Sequence, residues 1–280
     1  MSSSDTFTRV YEKQNKLRFG SFIARNIHEI IVYRHALANF VKINLRNRYR
    51  RSTLGFLWSL INPLFTMVLM AFVFSTIYKV PFADFGIYIF SGLLPWQLMS
   101  SSIVNGTMSI IYAEGYLKKV YTPKILFPLV NVSTEVVNFS LSLISLFILA
   151  ILLGAKIGLS LLLLPLAIVL TFIFVLGIVL VVSVATIYFR DLYNIIQVVF
   201  TALFYLVPIV YKISIIPVSF QIFYKLNPFF YFIDLFHKII YESATPSISQ
   251  WVICAGMSLI TILVGLLTLN LKEQDLIFRL

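Results

Sequence analysis

Six long apolar segments restrict this chain to folds that a lipid bilayer supports. They lie at about 57–78, 86–110, 125–153, 159–187, 194–211 and 250–269. A helix of about 20 apolar residues crosses the hydrocarbon core of a membrane. Of the residues, 60% are hydrophobic and 12% are charged, whereas soluble domains carry about 25% charged residues. The sequence therefore predicts an all-α polytopic membrane protein with six transmembrane helices.

The positive charges are distributed unevenly about these segments. Of the 22 lysines and arginines, 17 fall on the side that holds both termini and five fall on the other side. Because lysine and arginine are enriched in cytoplasmic loops, we expect both termini in the cytoplasm. The chain is then divided into a cytoplasmic segment (1–56), a transmembrane domain (57–269) and a cytoplasmic tail (270–280). This topology accounts for the net charge of +11, and no nucleic-acid partner is expected.

An amphipathic helix is predicted just before the first apolar segment. One face carries Ile27, Ile30, Ile31, Leu37, Ala38, Val41 and Leu45, and the opposite face carries His28, His35, Asn39, Lys42 and Arg46. A helix with this pattern lies in a membrane interface, here the cytoplasmic leaflet. The same periodicity also suits a short helix that packs against another domain. No cleavable signal peptide is expected, because residues 1–26 lack an apolar core.

Four arginines stand where this helix meets the first apolar segment: Arg46, Arg48, Arg50 and Arg51. Such a cluster fixes the orientation of the following helix and also suits anionic lipid headgroups. A purely topological role remains the alternative for each arginine.

Two connecting segments carry patterns that exceed those of simple turns. The cytoplasmic loop YAEGYLKKVYTPK (112–124) mixes aromatic and charged residues, which suits a surface that docks on a partner; a solvated connector is the alternative. The outer segment 212–250 is strongly aromatic but interrupted by polar residues. It predicts two short helices that dip into the outer leaflet and meet near Asn227 and Pro228, or else an aromatic belt at the headgroups.

A polar stripe runs along the third apolar segment: Asn131, Glu135, Asn138, Ser142 and Ser145. A carboxyl group facing lipid is costly, so the stripe must face protein or an aqueous path. We expect Glu135 to be a packed, hydrogen-bonded acid, because no basic partner is visible within the membrane segments. Proton or ion coupling by Glu135 is the alternative.

Aromatic residues also form a stripe on each of two apolar segments. The first stripe is Trp58, Phe65 and Phe72, and the second is Phe200, Phe204 and Tyr211. Packing against lipid is one explanation. Aromatic faces also suit stacking against the apolar C–H faces of sugar rings.

Signals of enzymatic chemistry are missing from the sequence. No glycine is followed by lysine, so the phosphate-binding loop of an ATPase is absent from this chain. His28, His35 and His237 are far apart, and the predicted topology puts His237 on the opposite side of the membrane, which argues against a shared metal site. We therefore expect no catalytic residue, no metal and no cofactor on this chain.

Several ordered motifs resemble the permease subunit of polysaccharide-exporting ABC transporters, the Wzm and teichoic-acid permease group of type-2 ABC exporters. These motifs are RYRRSTLGFLWSLINPL, YIFSGLLPWQLMSSSI, LKKVYTPKILFPL, IYFRDLYNIIQ and LNPFFYFID. The resemblance covers nearly the whole chain. It implies a bacterial cytoplasmic (inner) membrane protein that forms a homodimer and works with two copies of a separate ATPase subunit, which would hold the ATP and Mg²⁺.

The resemblance also implies roles for the residues described above. A lipid-linked glycan would pass through a channel walled by Trp58, Phe65, Phe72, Phe200, Phe204 and Tyr211. Its anionic diphosphate headgroup would enter at Arg46, Arg48, Arg50 and Arg51, since arginine–phosphate contacts are strong and geometrically specific. Glu114, Tyr116, Lys118 and Lys119 would meet the ATPase, and Asn227, Pro228, Phe229 and Phe230 would gate the exit.

The motif LGFLWSLINP favours a substrate of the O-antigen type. Teichoic-acid or capsule export is the alternative within the same group, and ATP-driven export of small lipophilic compounds would use the same scaffold. A membrane-embedded glycosyltransferase or lipid-modifying enzyme would instead need acidic or histidine residues clustered at a membrane face.

Overall fold

The computed structural model describes residues 19–48, 52, 54–152 and 158–279. Within these ranges the chain is helical and no strand is present. The α-helices are α1 (Phe19–Val32), α2 (Arg34–Arg48), α3 (Trp58–Tyr78), α4 (Phe82–Gly106), α5 (Ser109–Tyr112), α6 (Glu114–Leu117), α7 (Leu126–Leu152), α8 (Leu164–Tyr188), α9 (Leu192–Tyr205), α10 (Val218–Lys225), α11 (Pro228–Phe236) and α12 (Ile248–Arg279). A π-helix follows α11 at His237–Tyr241.

Five helical segments in the described ranges are long and apolar enough to cross a membrane. They are Ile61–Tyr78, Phe82–Gly106, Leu126–Ile151, Leu159–Tyr188 and Ile248–Glu273. These segments coincide with five of the six apolar segments expected from the sequence, so an all-helical, multi-span membrane protein is confirmed.

The remaining apolar segment, 194–211, is helical only over its first part. Helix α9 has 14 residues, a length of about 21 Å at 1.5 Å per residue, whereas the hydrocarbon core is about 30 Å thick. Pro208 explains this ending, since proline lacks an N–H donor and the residue before it avoids helical geometry. Residues 206–211 accordingly form bends.

Helix α4 is the central element of the bundle, and 72% of an apolar 18-residue stretch of this helix is buried. It packs against α3, α7, α8, α9 and α11. Trp96 of α4 meets Phe200 and Phe229, and Phe229 in turn meets Phe174 of α8. This aromatic cluster joins four helices and fixes where the faces of α4 point.

Helices α8 and α12 form the most closely packed pair. Gly177 of α8 and Gly265 of α12 allow the two backbones to touch, and the hydroxyl of Ser258 donates to the carbonyl of Leu170 at 2.9 Å. Small residues at a contact let membrane helices approach closely and gain packing energy.

The predicted amphipathic helix is two helices, α1 and α2, which are separated at Tyr33. Helix α2 packs against α7, and α1 lies against α12. Of the predicted apolar face, Ile30, Leu37, Val41 and Leu45 are partly buried by the protein, while Ile27, Ile31 and Ala38 are exposed. The apolar face is thus shared between the bundle and the surroundings.

The outer segment contains the two short helices expected from the sequence, α10 and α11. They flank residues 226–227. The side chain of Asn227 accepts a hydrogen bond from the backbone N–H of Phe229 at 3.0 Å, and Pro228 occupies the first helical position. Asparagine at the N-cap followed by proline is a strong helix-start signal.

Candidate functional site

A cavity of about 510 Å³ lies between helices α3, α4 and α7. We call it the polar cavity. It is lined by Arg48, Ser52, Trp58, Asn62, Pro63, Thr66, Leu94, Gln97, Leu98, Ser101, Glu135, Asn138, Phe139 and Ser142. Most of these side chains carry hydrogen-bonding groups, which is unusual for a space between membrane helices.

An ion pair between Arg48 and Glu135 stands in the wall of the polar cavity. Nη1 of Arg48 is 3.4 Å from both carboxylate oxygens of Glu135. The basic partner of Glu135 comes from outside the predicted membrane segments: the packing of α2 on α7 brings Arg48 to it across 87 residues of sequence. This pairing lowers the free-energy cost of burying a carboxylate in a membrane segment.

The polar stripe of α7 faces protein, as expected. Glu135, Asn138 and Ser142 line the polar cavity. Asn131 instead donates to the carbonyl of Ser102 on α4 at 2.8 Å, and Ser145 is buried. Within the described residues, the amide oxygen of Asn138 is buried without a hydrogen-bond partner.

A second cavity, of about 360 Å³, lies between α4 and α9. We call it the aromatic groove. It is lined by Trp96, Ser100, Ser101, Val104, Asn105, Gln197, Phe200, Thr201, Phe204 and Tyr205. Ser101 borders both cavities, so the polar cavity and the aromatic groove lie on adjoining faces of α4.

Trp96 is a groove residue that the sequence reasoning missed. The centroid of its ring lies 5.8 Å from the ring centroid of Phe200 and 6.1 Å from that of Phe204. Helical periodicity predicts aromatic stripes along single helices, whereas the aromatic groove combines rings of α4 with rings of α9. The PWQ sequence inside the second apolar segment, with an amide directly after the indole, is the signal that could have found it.

The two predicted aromatic stripes are placed differently by the structure. Trp58 lines the polar cavity, and Phe200 and Phe204 line the aromatic groove. Phe65 and Phe72 point away from the bundle and are 63% and 66% exposed. Tyr211 lies outside the groove, where its hydroxyl donates to the carbonyl of Tyr205 at 2.7 Å. Within one chain the two stripes therefore do not face each other.

Of the four arginines that precede the first apolar segment, the structure describes two, both in the last turn of α2. Arg48 lines the polar cavity, and Arg46 is exposed. Arg50 and Arg51 lie outside the described residues.

The loop residues Glu114, Tyr116, Lys118 and Lys119 form a small exposed surface around α6. Nζ of Lys118 is 2.5 Å from a carboxylate oxygen of Glu114. Tyr116 is exposed but touches Phe40 of α2 edge-on, with 5.4 Å between ring centroids. Leu117 is buried and anchors the turn. The loop and the second N-terminal helix thus form one continuous surface.

Part of the predicted exit gate belongs to the packed core. Phe229 is buried against Trp96, Phe174 and Phe200. Phe230 is partly buried and touches Tyr231. Asn227 and Pro228 start α11, as described above. Since Phe229 also touches Trp96 and Phe200, α11 packs directly against residues of the aromatic groove.

A polar network joins three parts of the chain near the end of α12. Arg25 of α1 forms an ion pair with Glu273, and the hydroxyl of Tyr121 donates to Glu29 at 2.8 Å. Nζ of Lys124 donates to the carbonyl of Glu273 at 2.5 Å. Burial lowers the pKa of Lys124 to about 8, against the opposing effect of Glu273. Local sequence patterns do not predict this network, because its members lie far apart along the chain.

Comparison with known proteins supplies the family. Residues 36–241 match the family described as ABC-2 type transporter. A protein of Myxococcus xanthus named O-antigen export system permease protein RfbA is 29% identical over 238 residues, covering 84% of this chain and 92% of that protein. A Klebsiella pneumoniae protein of the same name is 31% identical over 186 residues, covering 66% and 72%. The chain belongs to the ABC-2 type transporter family.

Proposed function

We propose that this chain is the channel-forming transmembrane subunit of an ATP-driven exporter that moves a lipid-linked polysaccharide of the O-antigen type across the bacterial cytoplasmic membrane. The names of the Myxococcus and Klebsiella relatives support this substrate class. The observation that carries the proposal is the adjacency of the polar cavity and the aromatic groove at Ser101.

The polar cavity suits the charged end of such a substrate. Arginine is the side chain best suited to binding phosphate groups, and Arg48 stands in the wall of this cavity. Asn62, Gln97 and Asn138 supply amides around it, which can donate to phosphate oxygens or pair with sugar hydroxyls.

The aromatic groove suits the sugar chain. Phe204 and Tyr205 offer ring faces for stacking, and Asn105 and Gln197 can bond sugar hydroxyls at its edge. A polymer must slide, so contacts that are weak and repeated serve transport better than a deep binding site.

The complete transporter is proposed to be a homodimer with two ATPase subunits. Each protomer would contribute six membrane segments, the fifth formed by α9 and its bent continuation, with α10 and α11 as a re-entrant pair at the exit. Both termini would be cytoplasmic, so the surface around α6 would meet the ATPase that holds ATP and Mg²⁺. The exposed Phe65 and Phe72 would face the channel or the second protomer.

The test is export by a strain that lacks the gene for this chain. We expect such a strain to lose surface polysaccharide and to accumulate the lipid-linked polymer inside, and we expect the wild-type gene to restore export. In the reconstituted complex, lipid-linked glycan should stimulate ATP hydrolysis. Stimulation by small hydrophobic compounds but not by the glycan would replace this proposal with export of small lipophiles.

A further inference from the structure

The contact between Arg48 and Glu135 is loose for an arginine–carboxylate pair. The two distances from Nη1 are both 3.4 Å, whereas charge-assisted N–H···O bonds are usually about 2.7–2.9 Å. A single nitrogen serves both oxygens, so the two parallel bonds of a bidentate pair are not made. Within the described residues the guanidinium has no other polar partner.

The two partners differ in their access to a ligand. The side chain of Arg48 is 49% exposed, whereas that of Glu135 is 11% exposed. An incoming anion therefore reaches Arg48 without first displacing Glu135 from the wall. A phosphate group has more charge than a carboxylate and can present two oxygens to the guanidinium fork, which favours the exchange.

Glu135 does not depend on Arg48 for all of its hydrogen bonding. Nδ2 of Asn138 donates to Oε2 of Glu135 at 3.2 Å. The carboxylate thus keeps a donor when Arg48 turns away.

We propose that Glu135 pairs with Arg48 while the polar cavity is empty, and that a phosphate group of the substrate replaces Glu135 as the partner of Arg48. The inference rests on the proposed function, which supplies a phosphorylated substrate. Because Glu135 remains in the wall as a negative charge, it opposes the bound phosphate and promotes its release. Glu135 thus limits the affinity of the polar cavity for the headgroup, so that the headgroup can dissociate again.

Equilibrium binding of farnesyl pyrophosphate tests this inference. The full chain is reconstituted in phosphatidylcholine nanodiscs, so that no anionic lipid competes, and inorganic pyrophosphate is titrated in parallel. We expect Glu135→Gln to tighten binding of farnesyl pyrophosphate about tenfold. Removing the negative charge beside the bound phosphate relieves a repulsion, and a tenfold change corresponds to about 1.4 kcal/mol. Arg48→Gln should weaken binding by about the same factor. In the Arg48→Gln background, Glu135→Gln should give less than this gain, because only the repulsion by Glu135 is then relieved and no guanidinium is released.

Two further variants keep the result interpretable. Glu242→Gln makes the same charge change at an exposed residue outside the polar cavity and should leave binding unchanged. Glu135→Asp keeps the charge on a shorter side chain and should bind with intermediate affinity, which provides a readout if the glutamine variant folds poorly. Equal effects on inorganic pyrophosphate would identify the phosphates alone as the displacing group, and effects confined to the farnesyl compound would identify the lipid-linked form.

The experiment distinguishes a failure of this inference from a failure of the proposed function. If Arg48→Gln weakens binding but Glu135→Gln leaves it unchanged or weaker, displacement of Glu135 is overturned while the headgroup contact survives. If Arg48→Gln has no effect on either probe, the headgroup contact of the proposed function fails, and the inference fails with it.

Discussion

Gly177 and Gly265 bring the backbones of α8 and α12 into direct contact. A methyl group added at Gly265 would stand 2.5 Å from the carbonyl oxygen of Gly177, and one at Gly177 would stand 2.2 Å from the backbone carbon of Thr261. Neither neighbour is a flexible side chain that can move aside. The pair therefore depends on having no Cβ at these two positions, and it holds the long final helix against the bundle.

We expect Gly177→Ala to destabilise the permease, because the two helices must separate to admit the methyl group. Overpacking of this kind costs about 1–3 kcal/mol. The measurement is thermal unfolding of the purified chain in detergent. Gly256→Ala is the matched control on α12, since nothing lies within 4 Å of its added methyl group. Equal melting temperatures for Gly177→Ala and the wild type would show that the α8–α12 contact is not tight.

A second prediction concerns the aromatic groove. Phe204→Leu and Tyr205→Leu keep apolar bulk but remove the accessible ring faces of the groove that would stack on sugars. We expect each to reduce export of long polymer several-fold with little loss of folded protein, and the double variant to export less than either single variant. The readout is the amount and length of surface polysaccharide relative to permease in the membrane.

Phe172→Leu is the control for this series. Phe172 is a partly buried phenylalanine of α8 that lines neither cavity, so its replacement should leave export near normal. Unchanged export in the Phe204→Leu and Tyr205→Leu double variant would contradict a role of these rings in stacking on sugars.

The sequence predicted the helical class and most of the helix positions, because hydropathy and charge bias are local properties. It also predicted that the stripe around Glu135 needs protein or water around it. The partner could not be predicted, since Arg48 meets Glu135 only through the packing of α2 on α7. The surroundings of Trp96 and Phe229 could not be predicted for the same reason: they are set by helices distant in sequence. Pro208 predicts the early end of α9, but the apolar residues that follow it extend the hydropathy pattern to residue 211.

A third prediction concerns coupling to the ATPase. Reversing both charges in Lys118→Glu/Lys119→Glu should uncouple ATP hydrolysis from export, because charge complementarity governs such docking. Export and ATP hydrolysis by the reconstituted complex are the two measurements, and the amount of inserted permease should not change. Normal transport together with normal subunit association in the double variant would contradict this assignment.

The single variants separate two effects within that loop. Lys118 is paired with Glu114, so Lys118→Glu places two negative charges together and disturbs the loop itself. Lys119→Glu leaves this pair intact and changes only the exposed surface. If docking is the cause, Lys119→Glu should already impair coupling.

The last prediction is a dependence of stability on pH that arises from Lys124. Burial lowers its pKa from 10.5 to about 8 in the folded chain, so between these values the unfolded chain binds more protons and stability rises with pH. We expect the melting temperature of the wild type, relative to that of Lys124→Met, to increase from pH 7 to pH 10, with most of the change above pH 8. The methionine variant keeps the apolar stem and shares every other titrating group, so the difference between the two curves isolates Lys124. A difference that stays constant over this range would show that Lys124 titrates normally and that its contact with the end of α12 leaves it open to water.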